Sequence, residues 1–194
     1  LFGGIAGAPI SGLVIDAETG QPIEGVAVLA HWDRVGGHGF IKERITVIES
    51  LTDKSGRYTL PSWGPKLSSI SDITLMEYPK IHYFKLGHYP LTVREKSVVI
   101  HGTRDIDRLN LTSSWNGKPI KLVPMNDDLE EYAKIVSSQM GVLDILMFEK
   151  EGRCYWESFP ITISRFMSAK HYFLEQGTAH FMADYESKSS LCAQ

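Results

Sequence analysis

Two periodicities divide the chain. Up to about Pro124, apolar positions recur mostly every second residue in short runs, the spacing of half-buried β-strands. Residues 11–16, 23–32, 41–51 and 57–61 read as strands, with Val26, Val28 and Ala30 on one face of the second. Ala17-Glu18-Thr19-Gly20 with Pro22, and Thr52-Asp53-Lys54-Ser55-Gly56, supply turns between them, because glycine takes a positive φ without steric cost and proline presets its own. Residues 62–78 read as a long loop, and residues 80–90 and 91–100 keep a β character. Trp115-Asn116-Gly117-Lys118 carries the Asn-Gly signature of a tight hairpin and predicts the last strand of a sandwich at residues 120–124.

Beyond Pro124 the period lengthens to that of a helix, with Leu129, Tyr132, Ala133, Val136 and Met140 on one face. Asn126 or Asp127 suits the N-cap, and Asp128, Glu130 and Glu131 favour the positive end of the helix dipole. This helix is expected to stop near Gly141. A second is expected from Pro160 to Gln176 with Gly177 as its C-cap, turning Ile163, Phe166, Met167, Phe173 and Leu174 inward. Residues 142–148 fit helix or strand, and residues 185–194 read as a frayed tail unless Cys192 ties them back. The expected fold is therefore mainly β with C-terminal α: a sandwich over residues 10–124, then a helical region over residues 125–194 packed on it.

Composition narrows the function classes. The 194 residues are 43% hydrophobic and 22% charged, enough for a core without metals or staples. The formal charge of −3 comes from interspersed acids and bases, with no basic run to track a phosphate backbone, so nucleic acid is not an expected partner. No stretch approaches the roughly 18–20 apolar residues of a membrane span. Residues 1–9 are small and apolar and read as the flank of an export signal, with Ile5-Ala6-Gly7-Ala8 as the small-residue context. No cysteine stands at the start, so any lipid anchor would lie upstream of Leu1. The two cysteines, Cys154 and Cys192, are expected to form a disulfide, as lone pairs in exported chains do.

The phrases Gly12-Leu13-Val14-Ile15-Asp16-Ala17-Glu18-Thr19-Gly20-Gln21-Pro22-Ile23-Glu24-Gly25-Val26-Ala27-Val28 and Thr52-Asp53-Lys54-Ser55-Gly56-Arg57-Tyr58-Thr59-Leu60-Pro61 together resemble the carboxypeptidase regulatory-like, or transthyretin-like, domain. The likeness is clear for residues 10–62 and looser to residue 124. It implies a β-sandwich that serves many proteins as scaffold or binding module, and only weakly a role.

Catalytic chemistry finds little support. His31, Asp33 and His38 around a glycine-rich loop are the one candidate divalent-metal set, the basis of an alternative reading as a metal-dependent enzyme. His82, His88 and His101 fall on strands among aromatic residues, and His171 and His180 stand too far apart for a helical i, i+4 zinc pair. Two enzyme families of transthyretin-like fold are unfavoured. The Tyr-Arg-Gly-Ser ending of hydroxyisourate hydrolases is missing, and Tyr83, Tyr89, His82 and His88 supply only the residue types of an intradiol dioxygenase iron site. There is no Gly-x-Ser-x-Gly elbow and no phosphate-cradling Gly-x₄-Gly-Lys. The expected protein is a non-catalytic, cofactor-free binding protein of the periplasm or cell envelope, in its sharper version an immunity-type inhibitor of a secreted toxic enzyme. A purely structural envelope domain is the other alternative. Aromatic and charged side chains would meet the partner: Trp63 as an exposed loop anchor, Trp32, and the acidic run Asp127, Asp128, Glu130 and Glu131.

Overall fold

The computed structural model describes residues 2–35, 41–69, 74–76, 79–95, 98–100, 108–147 and 158–178. The fold is mainly β, a sandwich with a helical C-terminal region. One layer is bent. Pro9, which has no amide hydrogen for a ladder, lies between β1 (Phe2–Gly7) and β2 (Ile10–Asp16). Pro61 stands likewise between β5 (Arg57–Leu60) and β6 (Trp63–Ser69), and a turn at residues 113–117 separates β11 (Arg108–Leu111) from β12 (Pro119–Leu122). The result is two three-stranded sheets of matching order, β11-β1-β6 and β12-β2-β5, successive halves of one layer. In each half the central strand runs parallel to one neighbour and antiparallel to the other.

The opposite layer has six strands: β3 (Ala27–Val35), β4 (Ile41–Leu51), β7 (Thr74–Met76), β8 (Lys80–Phe84), β9 (Leu91–Arg94) and β10 (Val98–Ile100). Their order is β10-β7-β3-β8-β9, with β4 on the other side of β3, and every pairing is antiparallel. Between the layers lies one apolar cluster that includes Val14, Leu60, Ile120, Leu122, Val28, Ala30, Trp32 and Ile81. Its buried hydroxyls satisfy each other: Tyr58 and Tyr83 are 2.7 Å apart, and desolvation raises both phenols above their ordinary range.

Two helices cover the outer face of the six-stranded sheet, α1 (Leu129–Met147) and α2 (Pro160–Glu175). Leu29 of β3 and Phe84 of β8 point outward into a second cluster with Tyr132, Val136, Met140, Phe159, Phe166, Ala169 and Phe173, and Phe84 stacks on Phe166 at 4.1 Å between centroids. Tyr132, near the start of α1, packs against Phe173, near the end of α2. Asp128 caps α1 through the Glu131 amide at 2.9 Å. The N-terminus of α2 is satisfied from the sheet: Glu49 of β4 accepts from the amides of Ile161 and Thr162 and from the Thr162 hydroxyl, at 2.7–2.8 Å.

Several expectations change. Residues 2–7, read as the flank of an export signal, form the central strand of a sheet, and Gly7 leaves room for close packing: a Cβ there would sit 2.1 Å from Trp63 Nε1. Residues 62–78 contain β6 and β7 in place of a long loop. The Asn116-Gly117 turn is no hairpin, because β11 and β12 pair with β1 and β2 and not with each other. Asn116 Oδ1 instead accepts the Ser11 amide at 2.8 Å and the Gly117 amide bonds the Ser11 carbonyl at 2.8 Å, so the turn stands in for a strand at the bend of the layer. Helix α1 continues through Gly141 to Met147, glycine mid-helix being a small cost that packing outweighs. Its cap is Asp128, not Asn126 or Asp127.

Gly56 ends the 53–56 turn at φ +72°, and an added Cβ would stand 2.5 Å from the Val14 carbonyl oxygen and 2.9 Å from Pro22 Cβ. Gly56→Ala should therefore destabilise the fold by about 1–3 kcal/mol, read as a lowered denaturant midpoint with unchanged m-value.

Candidate functional site

Strand β3 is buried on both faces from Ala27 to Asp33. Its inward residues join the sandwich core, and its outward ones are Leu29, His31 and Asp33, the last two being polar. Cross-strand register then assembles a chain of polar side chains. His82 of β8 faces Leu29, Thr92 of β9 faces His82, and Arg44 of β4 faces Asp33.

The chain crosses the sheet from β9 to β4. Thr92 Oγ1 lies 2.9 Å from His82 Nδ1, and His82 Nε2 lies 3.1 Å from His31 Nε2. His31 Nδ1 stands 2.9 Å from Asp33 Oδ2, off the axis of a directed hydrogen bond, so that contact is mainly electrostatic. Arg44 Nε donates to Asp33 Oδ1 at 3.1 Å. From α1, Gln139 Nε2 reaches His82 Nδ1 at 3.0 Å and Thr92 Oγ1 at 2.9 Å. His31, Asp33, Arg44 and His82 are all sealed, at 1–5% exposure.

One proton arrangement satisfies these contacts with both imidazoles neutral. Gln139 donates to His82 Nδ1, His82 Nε2–H donates to His31 Nε2, and His31 Nδ1 carries its hydrogen on the side of Asp33. Electrostatics agree with it. Desolvation lowers His31, its pairing with Asp33 only partly offsetting this. Desolvation, reinforced by the charges of His31, Lys80 and Arg94, lowers His82 to about 3. Burial would raise the Asp33 carboxyl, but the His31 contact and the nearby charges of Arg44 and Lys80 outweigh it, so Asp33 is an anion. Chemically, the chain can share a proton between its two imidazoles. Its Thr92 and Gln139 end is half-buried and the rest is enclosed.

A second grouping sits where α1 begins and α2 ends. Tyr132 is its hub: the hydroxyl accepts the Gly87 amide at 2.9 Å and donates to the His88 carbonyl at 3.0 Å, while the ring meets Tyr89 and Phe173 edge-on. Tyr89 donates to Asp127 at 2.5 Å, and His88 Nε2 lies 3.0 Å from Asp16. Glu130 and Glu131 stand 3.3 and 3.6 Å from Lys134. Beside Phe173, Tyr172 and Leu174 are 37% and 51% exposed.

These positions redraw the expected sites. Trp63 is 9% exposed and packs edge-on against Trp32, 1% exposed, at 5.3 Å, so neither is a surface anchor; both complete the sandwich core. The acidic run is exposed as expected, though Asp128 is occupied as a helix cap. His31 and Asp33 belong to a buried strand and not to a loop, Asp33 already holding Arg44; His38 lies outside the described residues. No group of three or more His, Cys, Asp or Glu among the described residues could hold a metal ion. Tyr83 and His82 face opposite sides of the sheet, so they do not converge as an iron site would require. Cys154 and Cys192, the expected disulfide, also lie outside the described residues. The His31–His82 contact went unread because it depends on the pairing of β3 with β8. The available signal was the unbroken apolar run from Val26 to Ala30, which marks a strand covered on both faces.

No family model matches the chain, and no curated protein does. Among solved structures, the C-terminal domain of the shaft pilin spaA from Lactobacillus rhamnosus GG is 12% identical with a TM-score of 0.27, over 61% of this chain and 98% of that one. The plantain pollen allergen Pla l 1 is 16% identical with a TM-score of 0.31, over 62% and 95%. The dioxygenase domain of a carbohydrate-binding fusion from Streptomyces sp. SirexAA-E is 16% identical with a TM-score of 0.29, over 62% and 79%. Likeness this distant says nothing of what this protein binds or does. Among the described residues no helix is long and apolar enough to cross a membrane.

Asp33→Asn removes the charge that Arg44 and His31 share and should cost about 3–5 kcal/mol, as breaking a buried ion pair does, measured by denaturant unfolding. A pH dependence follows from the histidines. With His82 held near 3 when folded, against about 6.5 when unfolded, the folded state binds fewer protons in between. Stability is therefore complete above pH 6.5 and falls as the pH drops toward 3, by up to about 1.4 kcal/mol per pH unit for each histidine that titrates this way. Chemical denaturation at stepped pH should follow that slope, and a flat profile between pH 6.5 and 4 would refute it.

Proposed function

We propose that this chain is an exported, non-catalytic binding protein of the cell envelope or periplasm. A sandwich of carboxypeptidase regulatory-like type is its scaffold, and one end of its helical layer meets a protein partner. The observation that carries this reading is the convergence around Tyr132. The exposed acidic start of α1, with Asp127, Glu130 and Glu131, emerges beside the exposed Tyr172 and Leu174 at the end of α2. Aromatic and aliphatic anchors rimmed by like charge suit a partner with a basic surface, where charge steers encounter and apolar groups supply affinity. The sharper form is an immunity-type inhibitor whose acidic end enters the basic substrate cleft of a secreted enzyme. In support, the best-organised ionisable groups, His31, His82, Asp33 and Arg44, are enclosed and bonded to one another, which suits a joint between layers.

The test is capture of partners from the native envelope extract at moderate salt, comparing the wild type with Glu130→Lys/Glu131→Lys. The expected result is one stoichiometric partner, a secreted hydrolase whose activity falls on binding, held at least about tenfold more weakly by the reversed protein. A partner held equally well by both proteins would place the contact elsewhere, and no partner at all would favour a structural envelope domain.

A further inference from the structure

The contact between His31 and His82 lies under the second half of α1, and its geometry makes that cover conditional. Two Nε2 atoms 3.1 Å apart leave room for one hydrogen between them. A second would set N–H against N–H. The remaining nitrogens are also committed, His31 Nδ1 to Asp33 and His82 Nδ1 to Thr92 and Gln139, the latter presenting its own amide hydrogens.

The charged groups that act on the pair include Asp33 on β3, Arg44 on β4, Lys80 on β8 and Arg94 on β9. From helix α1 the uncharged Gln139 reaches the pair's His82 end. A further proton thus enters a site that is sealed and whose ring nitrogens are already committed. The two halves of α1 are held differently. Its start is fixed by the Asp128 cap and by Tyr132 on Gly87 and His88, whereas in its second half Met140 packs into the outer apolar cluster and Gln139 supplies the directed tie to the polar chain.

We propose that the His31–His82 pair is an acid-sensitive latch: neutral, it holds the second half of α1 against the sheet through Gln139, and a proton taken up by either imidazole releases that half of the helix. Release uncovers the outer face of β3 and β8 while the sandwich core, which shares no face with the latch, stays closed. The device does not depend on the partner-binding reading, since it concerns the fold of the isolated chain.

Hydrogen exchange of the purified protein, followed by mass spectrometry from pH 7.5 to 5 and corrected for intrinsic exchange rates, tests it. Peptides spanning residues 133–147 should lose protection by about tenfold per pH unit below pH 6 for one titrating histidine. Peptides from β2 and β12, and the emission of Trp32 and Trp63, should stay unchanged. His82→Gln should reduce the pH dependence to what His31 alone supplies, while His88→Asn, whose ring lies instead on Asp16, should retain it in full. Protection of α1 that is constant across this range, or lost in step with β2 and β12, would overturn the latch. The comparison of peptides within the wild type decides the matter even if His82→Gln does not fold.

Discussion

Where β3 lies beside β8, neither face of the six-stranded sheet is free, and the rest of the molecule follows from that constraint. One face closes on the bent three-stranded layer and the other on two helices, so β3 and β8 must be acceptable to an apolar neighbour on both sides. Val28, Ala30, Trp32, Ile81 and Tyr83 meet this requirement inward, and Leu29 and Phe84 meet it outward. Toward the opposite end of the outer face the sequence supplies His31, Asp33 and His82 in place of apolar residues. Buried there, such groups hold only if their hydrogen bonds are made among themselves. The chain from Thr92 to Arg44 is that solution, and it needs four strands and a helix to complete it.

Legibility in the sequence tracks how local each determinant is. Period-two spacing with glycine and proline turns placed β2, β4 and β5 to within a residue, and the 3.6-residue period found both helices, because those signals lie inside each segment. What failed was partner choice. The Asn116-Gly117 turn has hairpin chemistry, yet its flanking strands pair with β2 and β1, distant in sequence, and the turn bonds Ser11 instead. Trp63 stands between two prolines, a loop signature, but Gly7 opposite it leaves a slot of indole depth. The same limit hid the polar chain. His31 and His82 are fifty-one positions apart, and their contact is set by the register of β3 against β8, which no local spacing encodes.

A buried polar chain is an expensive way to join two layers. Apolar residues of similar volume at these positions would be about as stable, since the desolvation cost of buried charges roughly cancels their attraction. What polarity adds is direction. A helix lying on Leu29 and Phe84 alone could slide by a turn with small loss, because hydrophobic contact is non-directional. Glu49 at the first amides of α2 and Gln139 on the His82–Thr92 pair each accept one placement only, and together they fix the axial position of both helices on the sheet. Of these two ties, the first rests on the carboxylate of Glu49 and the second on imidazoles that are held neutral. The second changes its hydrogen-bonding character when an imidazole takes up a proton. The helical layer is thus pinned at one point by a carboxylate on helix amides and at another by a neutral imidazole pair, and the second tie makes one half of α1 the acid-sensitive part of an otherwise closed fold.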